Sequence, residues 1–342
     1  MPILVNTPIT INGINYDVEK MIGKGGLSVV YLAKEQSTKR KVAIKEFLYT
    51  KFYDPLTHEN DCEENWENEI LNTQAQARSG KRCVEVLNFE KRCDLQTPEF
   101  YIVLSFIEGL TFLEFYRQFI LECRGLENLD ITTMVRFVFL PLAELLEYCH
   151  SVEHIVHRDF AVSNIIIQKD KTGDIYPVLI DWGVSKYLGP EWVYYTPKPY
   201  MLPDMPRDLP VTQKGAPPEV RSGYIPCAAS DIYYMGHLMY FVFTGGIMRE
   251  DSDNAGPQDF VLNPKAINIF IPDEFNKVVA KLTQYEPADR PKSMTEVIAM
   301  LKSLITIDYV HFDFSYIGEP DSDEKFAALP EELSDKDKNA KK

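Results

Sequence analysis

His157-Arg158-Asp159-Phe160-Ala161-Val162-Ser163-Asn164, followed downstream by Asp181-Trp182-Gly183, is the stretch on which the reading of this chain turns. It sets one carboxylate able to act as a base, Asp159, ahead of two oxygen donors that suit a hard cation, Asn164 and Asp181. Singly, each is weak evidence, because an Asp beside an Arg is common on any surface and an Asn or Asp is most often an Asx turn or a helix cap. Their order and spacing carry the weight, and the set suits phosphoryl transfer.

Upstream, a glycine turn, Gly23-Lys24-Gly25-Gly26-Leu27-Ser28, lies between two strand-like segments. Alone it reads as an ordinary hairpin. Fifteen residues after Val30, however, Val42-Ala43-Ile44-Lys45 ends on a lysine. A small residue such as Ser28 at the last position of the glycine pattern still lets backbone approach a phosphate closely.

Periodicity divides the chain. Ile9 to Asp17 alternates apolar and polar around Asn12-Gly13, and Val29 to Ala33, Lys41 to Leu48, Cys83 to Glu90 and Phe100 to Leu104 also read as strands. Between Glu63 and Ala77 the spacing predicts a helix, with Trp66, Ile70 and Ala77 on its apolar stripe and Glu69 beside it. Asp130 to Ser151 reads as one long helix through Ile131, Met134, Val138, Leu142, Leu145 and Leu146. Asp231 to Thr244, Asp273 to Gln284 and Met294 to Ile305 also read as helices, and Pro320 to Lys342 is charged, poor in apolar residues and expected to be disordered.

The 342 residues carry 36 basic and 51 acidic side chains, a net charge of -15, which argues against nucleic acid as a partner. Six scattered cysteines, with no CxxC pair, read as free thiols of a reducing cytoplasm. The greasiest run, Phe137 to Leu146, is broken by Pro141 and Glu144, so neither a membrane span nor a signal peptide is expected.

With these motifs in place the chain resembles the eukaryotic-type (Hanks-type) protein kinase superfamily, from about Tyr16 to about Leu304, and is most similar in flavour to its bacterial serine/threonine members. Ala216-Pro217-Pro218-Glu219 resembles the APE motif, and Ser230-Asp231-Ile232-Tyr233-Tyr234-Met235-Gly236 resembles the helix whose Asp braces the catalytic loop. Arg290 resembles the arginine that pairs with the APE glutamate. The resemblance implies an α+β, bilobal fold: a small N-lobe with an antiparallel sheet and one helix over residues 1–104, a hinge over 105–111, a larger, mainly helical C-lobe over 112–305, and an acidic extension over 306–342.

It also implies roles. Lys45 holds the α and β phosphates of ATP and pairs with Glu69. Ile22, Gly23, Gly25 and Ser28 belong to the loop over the phosphates, Asp159 takes the substrate proton, and Asn164 and Asp181 bind Mg²⁺, or alternatively Mn²⁺. Val30 and Ala43 roof the adenine, Ile166 floors it, Leu104 is the gatekeeper, and the backbone of Ser105 to Ile107 faces the base. The implied partners are ATP, a protein substrate and an unidentified regulatory protein.

Three departures qualify the match. Serine/threonine kinases usually carry Lys where this chain has Ala161, and tyrosine kinases place an Arg nearby where this chain has Val162 and Ser163. Lys186 or Lys214 is a candidate replacement. Trp182 replaces the Phe of DFG, and the segment from Asp181 to Glu219 is rich in proline and aromatics. Thr212, seven residues before Glu219, favours serine/threonine specificity. Arg158 could order the segment through a phosphate on Thr196 or a tyrosine. The expected activity is ATP-dependent phosphorylation of protein serine or threonine; a nucleotide-binding pseudokinase scaffold, motivated by Ala161, and a small-molecule phosphotransferase are the alternatives.

Overall fold

The computed structural model describes residues 3–52, 60–93, 97–194, 215–248, 256–305 and 314. Its first part is an antiparallel sheet of six strands: β1 (Pro8–Ile11), β2 (Ile14–Lys24), β3 (Ser28–Glu35), β4 (Lys41–Phe47), β5 (Val86–Arg92) and β6 (Glu99–Ser105), in the order β1-β2-β3-β4-β6-β5. The β1–β2 hairpin turns at Asn12 and Gly13, both with positive φ, as an Asn-Gly turn requires. Because side chains alternate across a sheet, the two faces of β4 part company. Val42 and Ile44 enter a core with Tyr101 and Val103, whereas Phe47 packs with Ile102 against the one helix of this part, α1 (Cys62–Ala77).

Trp66 seats α1. Its Nε1 donates to the Tyr101 carbonyl at 3.0 Å and its ring packs on Phe100 and Phe89. Further along the helix, Gln76 donates to the Val84 carbonyl. The helix therefore sits at a fixed rotation, which decides where Glu69 points.

The second part is mainly helical. β7 (Leu110–Thr111) leads into α2 (Phe112–Cys123), whose N-terminus is closed by a capping box between Thr111 and Glu114. The long helix expected over Asp130 to Ser151 is three pieces: α3 (Ile131–Met134), a π segment (Val135–Phe139) and α4 (Leu140–Ser151). The break has a cause in Pro141, which has no N–H to donate back along the helix, and the Leu140 N–H reaches Val135 in the wider π pattern.

β8 (Ile155–Val156), β9 (Ile165–Lys169), β10 (Ile175–Leu179) and β11 (Lys186–Tyr187) follow. β9 pairs with β10 and β7, and β11 pairs with β8. The remaining helices are α5 (Pro218–Arg221), α6 (Ala228–Phe243), α7 (Asp273–Leu282) and α8 (Met294–Ser303). Every residue of α6 is buried, so this helix is the axis on which the His157–Asn164 loop, the APE-like segment and α7 are hung.

This is a kinase fold, an antiparallel sheet with one helix followed by a mostly helical region. Strand Cys83 to Glu90 begins later than expected, at Val86. Among the described residues, no helix is long and apolar enough to cross a membrane. All six cysteines are free thiols.

Candidate functional site

Lys45 and Glu69 face each other because one sits on the α1 side of β4 and the other on the inner face of the helix that Trp66 anchors. Lys45 Nζ donates to Glu69 Oε1 at 2.7 Å and Oε2 at 2.8 Å, and also to Asp181 Oδ1 at 2.8 Å. Burial alone would lower the Lys45 ammonium, but the two carboxylates outweigh it and hold it above its ordinary value. Burial pushes Glu69 up to about 7 against the pull of Lys45, with Asp181 adding to the rise. Burial also works against the charged form of Asp181, yet Lys45 and the Gly183 N–H hold it below the usual carboxylate range.

Gly183 fits this triad for a steric reason. A Cβ there would lie 2.7 Å from Glu69 Oε2, 3.1 Å from Asp181 Oδ1 and 3.2 Å from Lys45 Nζ. Asp181 itself has a φ of 62°, a left-handed conformation that a non-glycine residue holds only where its surroundings fix it. Its companion is Trp182, buried edge-on against His157 with ring centroids 4.6 Å apart. Asn72 of α1 ties the same segment down by donating to the Ser185 carbonyl at 3.0 Å.

The octapeptide His157 to Asn164 is held from below by Asp231 at the start of α6. Asp231 Oδ2 accepts from the His157 N–H at 2.8 Å and Oδ1 from the Arg158 N–H at 2.9 Å, while His150 Nε2 lies 2.8 Å from Oδ2. Arg158 has a φ of 71°, so the loop is bent sharply where those amides are gripped. Although burial opposes it, the His150 bond holds the Asp231 carboxyl below its ordinary value. Past the bend, Asn164 Nδ2 donates to Asp159 Oδ2 at 2.7 Å and to the Asp159 carbonyl at 3.0 Å. Asp159 Oδ1 is buried and, among the described residues, has no hydrogen-bond partner.

The donor set suits Mg²⁺. With Asp181 Oδ1 and the Asn164 amide nitrogen engaged, Asp181 Oδ2 and Asn164 Oδ1 are the oxygens that would take a hard cation, without a thiol or imidazole in the set. Val30, Ala43 and Leu104 share a sheet face with Lys45, since Val30 is opposite Lys45 and Ala43 is opposite Leu104. All three are partly exposed on that face. Ile166, on β9, is close to the connection after Ile107: at Gly109 a Cβ would lie 3.0 Å from its Cγ2 and 2.4 Å from the Ile167 carbonyl oxygen, so only glycine lets that connection pass.

Ser105 is fixed by a pair of bonds with Glu85, its N–H donating to the Glu85 carbonyl at 2.8 Å and its Oγ accepting from the Glu85 N–H at 2.9 Å. In the glycine loop, the Gly25 N–H donates to the Ser28 carbonyl at 2.9 Å. A Cβ at Gly23 or Gly25 would meet only ordinary contacts, at 3.7 Å and 3.8 Å, so no neighbouring residue demands glycine there. Ile22 is exposed beside them.

Arg290 takes Glu219 in a two-pronged pair, Nη1 to Oε1 and Nη2 to Oε2, both at 2.8 Å, and Ser230 Oγ adds a third bond to Oε1. Lys186 is exposed on β11. Thr196, Thr212 and Lys214, with most of the proline- and tyrosine-rich segment, lie outside the described residues, as does nearly all of the acidic extension. Sequence reasoning missed His150, Asn72 and Gly109. A helical i to i+4 pattern does not reveal that His150 points at a residue 81 positions away.

Comparison with known proteins gives the family and the fold. A family model described as "Protein kinase domain" matches residues 16–306. Serine/threonine-protein kinase PknD of Protochlamydia amoebophila is 27% identical over 70% of the chain and 24% of its own length. Serine/threonine-protein kinase PrkC of Bacillus subtilis is 22% identical over 86% of the chain and 41% of its own. The chain thus spans well under half the length of these relatives. In fold, the crystal structure of the Mycobacterium tuberculosis PknI kinase domain superposes with a TM-score of 0.61 at 16% identity, covering 89% of this chain and 100% of that one. On the match over residues 16–306, the chain belongs to the protein kinase domain family.

Proposed function

We propose that this domain transfers the γ-phosphoryl group of ATP to a serine or threonine hydroxyl of a protein. The observation that carries this reading is the assembled triad, in which one ammonium, Lys45, is shared by Glu69 at 2.7 Å and Asp181 at 2.8 Å. With α1 and the Asp181 segment both joined to Lys45, the reading gives that lysine the task of holding nucleotide phosphates.

The chain's own residues then divide the work. Val30, Ala43, Leu104 and Ile166 enclose an apolar slot for adenine, and the Ser105 and Ile107 backbone gives its polar edge. Ile22, Gly23, Gly25 and Ser28 leave open backbone above the phosphates. Asn164 and Asp181 would hold Mg²⁺, which would supply positive charge to offset that of the phosphates. Asp159 accepts the proton of the substrate hydroxyl through its free Oδ1, while Asn164 keeps the carboxylate turned toward the substrate. Catalysis on this plan is positioning and charge neutralisation.

Serine/threonine preference rests on the names of the relatives and on Thr212. Free thiols fit a reducing compartment, which we take to be the cytoplasm. Ala161, which supplies no charge to the γ-phosphate, favours one competing reading, a scaffold that binds nucleotide without turnover. Transfer from γ-labelled ATP to a generic basic protein, followed by phosphoamino-acid analysis, separates them. Labelled phosphoserine or phosphothreonine supports the kinase; nucleotide binding without label supports the scaffold; label only on tyrosine overturns the specificity.

A further inference from the structure

α6 presents two consecutive tyrosines to its surroundings, and the structure accounts for only one. Tyr233 donates to the Phe260 carbonyl at 2.9 Å and stacks under the Arg290 guanidinium at 4.9 Å. Tyr234 is only 3% exposed, yet its hydroxyl has no hydrogen-bond partner among the described residues. Burying a phenol oxygen without a partner is costly, so such atoms normally meet a protein group or an ordered water.

Its position narrows the choice of partner. Tyr234 follows Asp231 by three residues, so both lie on the same face of α6, and Asp231 is the residue that grips the His157 and Arg158 amides. Burial acts first to raise its hydroxyl's pKa, and of the charges that act on it Asp159 acts most strongly, ahead of Asp231 and Glu219, with Arg158 opposing. Two buried polar atoms without partners thus belong to elements joined at Asp231: the Tyr234 hydroxyl, one turn along α6 from it, and Asp159 Oδ1, on the residue after the amides it grips. A hydroxyl is a donor and a carboxylate oxygen accepts two hydrogen bonds, so Oδ1 can take a bond from below and still receive a substrate hydroxyl.

We propose that the Tyr234 hydroxyl is a positioning group for Asp159, joined to its free Oδ1 through one bound water. It fixes the carboxylate in a loop where residue 161 is an alanine and cannot do so. The phenol contributes orientation, not charge. This inference rests on the kinase reading above, since Asp159 must be a working base for its orientation to matter.

The test compares the wild type with Tyr234→Phe, which keeps the ring and deletes one oxygen. Losing a hydrogen bond to a charged group predicts a fall in kcat of about tenfold or more, with KM for ATP and for the protein substrate within twofold. A purely structural role predicts the opposite split: deleting an unsatisfied buried hydroxyl leaves kcat alone and leaves the melting temperature unchanged or higher. In an Asp159→Asn background the Tyr234→Phe change should have no further effect on residual transfer. The inference fails alone if wild type transfers phosphate and Tyr234→Phe matches it within twofold, or if the same fall recurs on Asp159→Asn. Absence of any wild-type transfer overturns this inference and the kinase reading together.

Discussion

Gly183→Ala is a one-carbon change aimed at the centre of the site. The new Cβ would stand 2.7 Å from Glu69 Oε2, where ordinary contact begins at 3.4 Å. Oε2 must therefore retreat by about 0.7 Å to restore van der Waals separation. It has nowhere soft to go, because Glu69 is fully enclosed and Oε2 is bonded to Lys45 at 2.8 Å. Crowding of this kind costs about 1–3 kcal/mol. A charge-assisted hydrogen bond weakened with it costs about 1.5–3 kcal/mol. The least costly relief is rotation of α1 outward, carrying Glu69 away from Lys45, so the loss appears in phosphate handling more than in global stability. The expected outcome is a fall in kcat/KM for ATP of about 10²-fold or more, at about 1.4 kcal/mol per tenfold. The melting temperature should drop only a few degrees, at about 2–4 °C per kcal/mol for a large domain. Steady-state transfer assays beside thermal denaturation measure both quantities. Activity within threefold of wild type would refute the claim that this triad must stay closed.

Two further outcomes test the supports of the site. His157 is buried, and burial, opposed by Asp231, Asp159 and Asp181, lowers its imidazole below the ordinary 6.5. The unfolded chain takes up a proton there that the folded chain refuses, so stability present above about pH 6.5 is lost as pH falls through that value, at up to about 1.4 kcal/mol per pH unit. His157→Phe should flatten the urea midpoint between pH 7 and pH 5.5, and an unchanged slope counts against this assignment. Arg290→Ala strands the buried Glu219 carboxylate and should cost about 3–5 kcal/mol in urea unfolding; a loss under about 1 kcal/mol contradicts a structural role for the pair.

The site residues were legible where chemistry and spacing coincide in one short run. Asp159 and Asn164 are five apart on one loop, and their hydrogen bond at 2.7 Å is local. Glu69 was preferred through resemblance, since it follows Trp66 by three as a glutamate follows an aromatic in the matching kinase helix, and the structure adds that Trp66 fixes which way that helix faces. Partners from distant parts of the chain were different. The Asp231 grip on His157 spans 74 positions and was expected only through family resemblance, while His150, its third partner, went unread.

Helix boundaries suffered for local reasons. Apolar periodicity runs unbroken from Ile131 to Leu146, so it could not register that Pro141 removes a donor and widens the coil at Val135–Phe139. α2 had a readable signal, Thr111-x-x-Glu114 ahead of Phe115, Tyr116 and Phe119, which was overlooked beside the hinge motif. Tyr234 sat inside a quoted motif, but only burial shows that its hydroxyl lacks a partner.

Asp159 as the base of a working kinase is the central claim. Its most direct test measures, on wild type and Asp159→Asn, both nucleotide affinity and transfer from γ-labelled ATP to a basic protein. Affinities should lie within a few-fold of each other, with transfer lower in the variant by about 10²–10⁴-fold. Equal transfer by the two proteins, or none by the wild type, would contradict it.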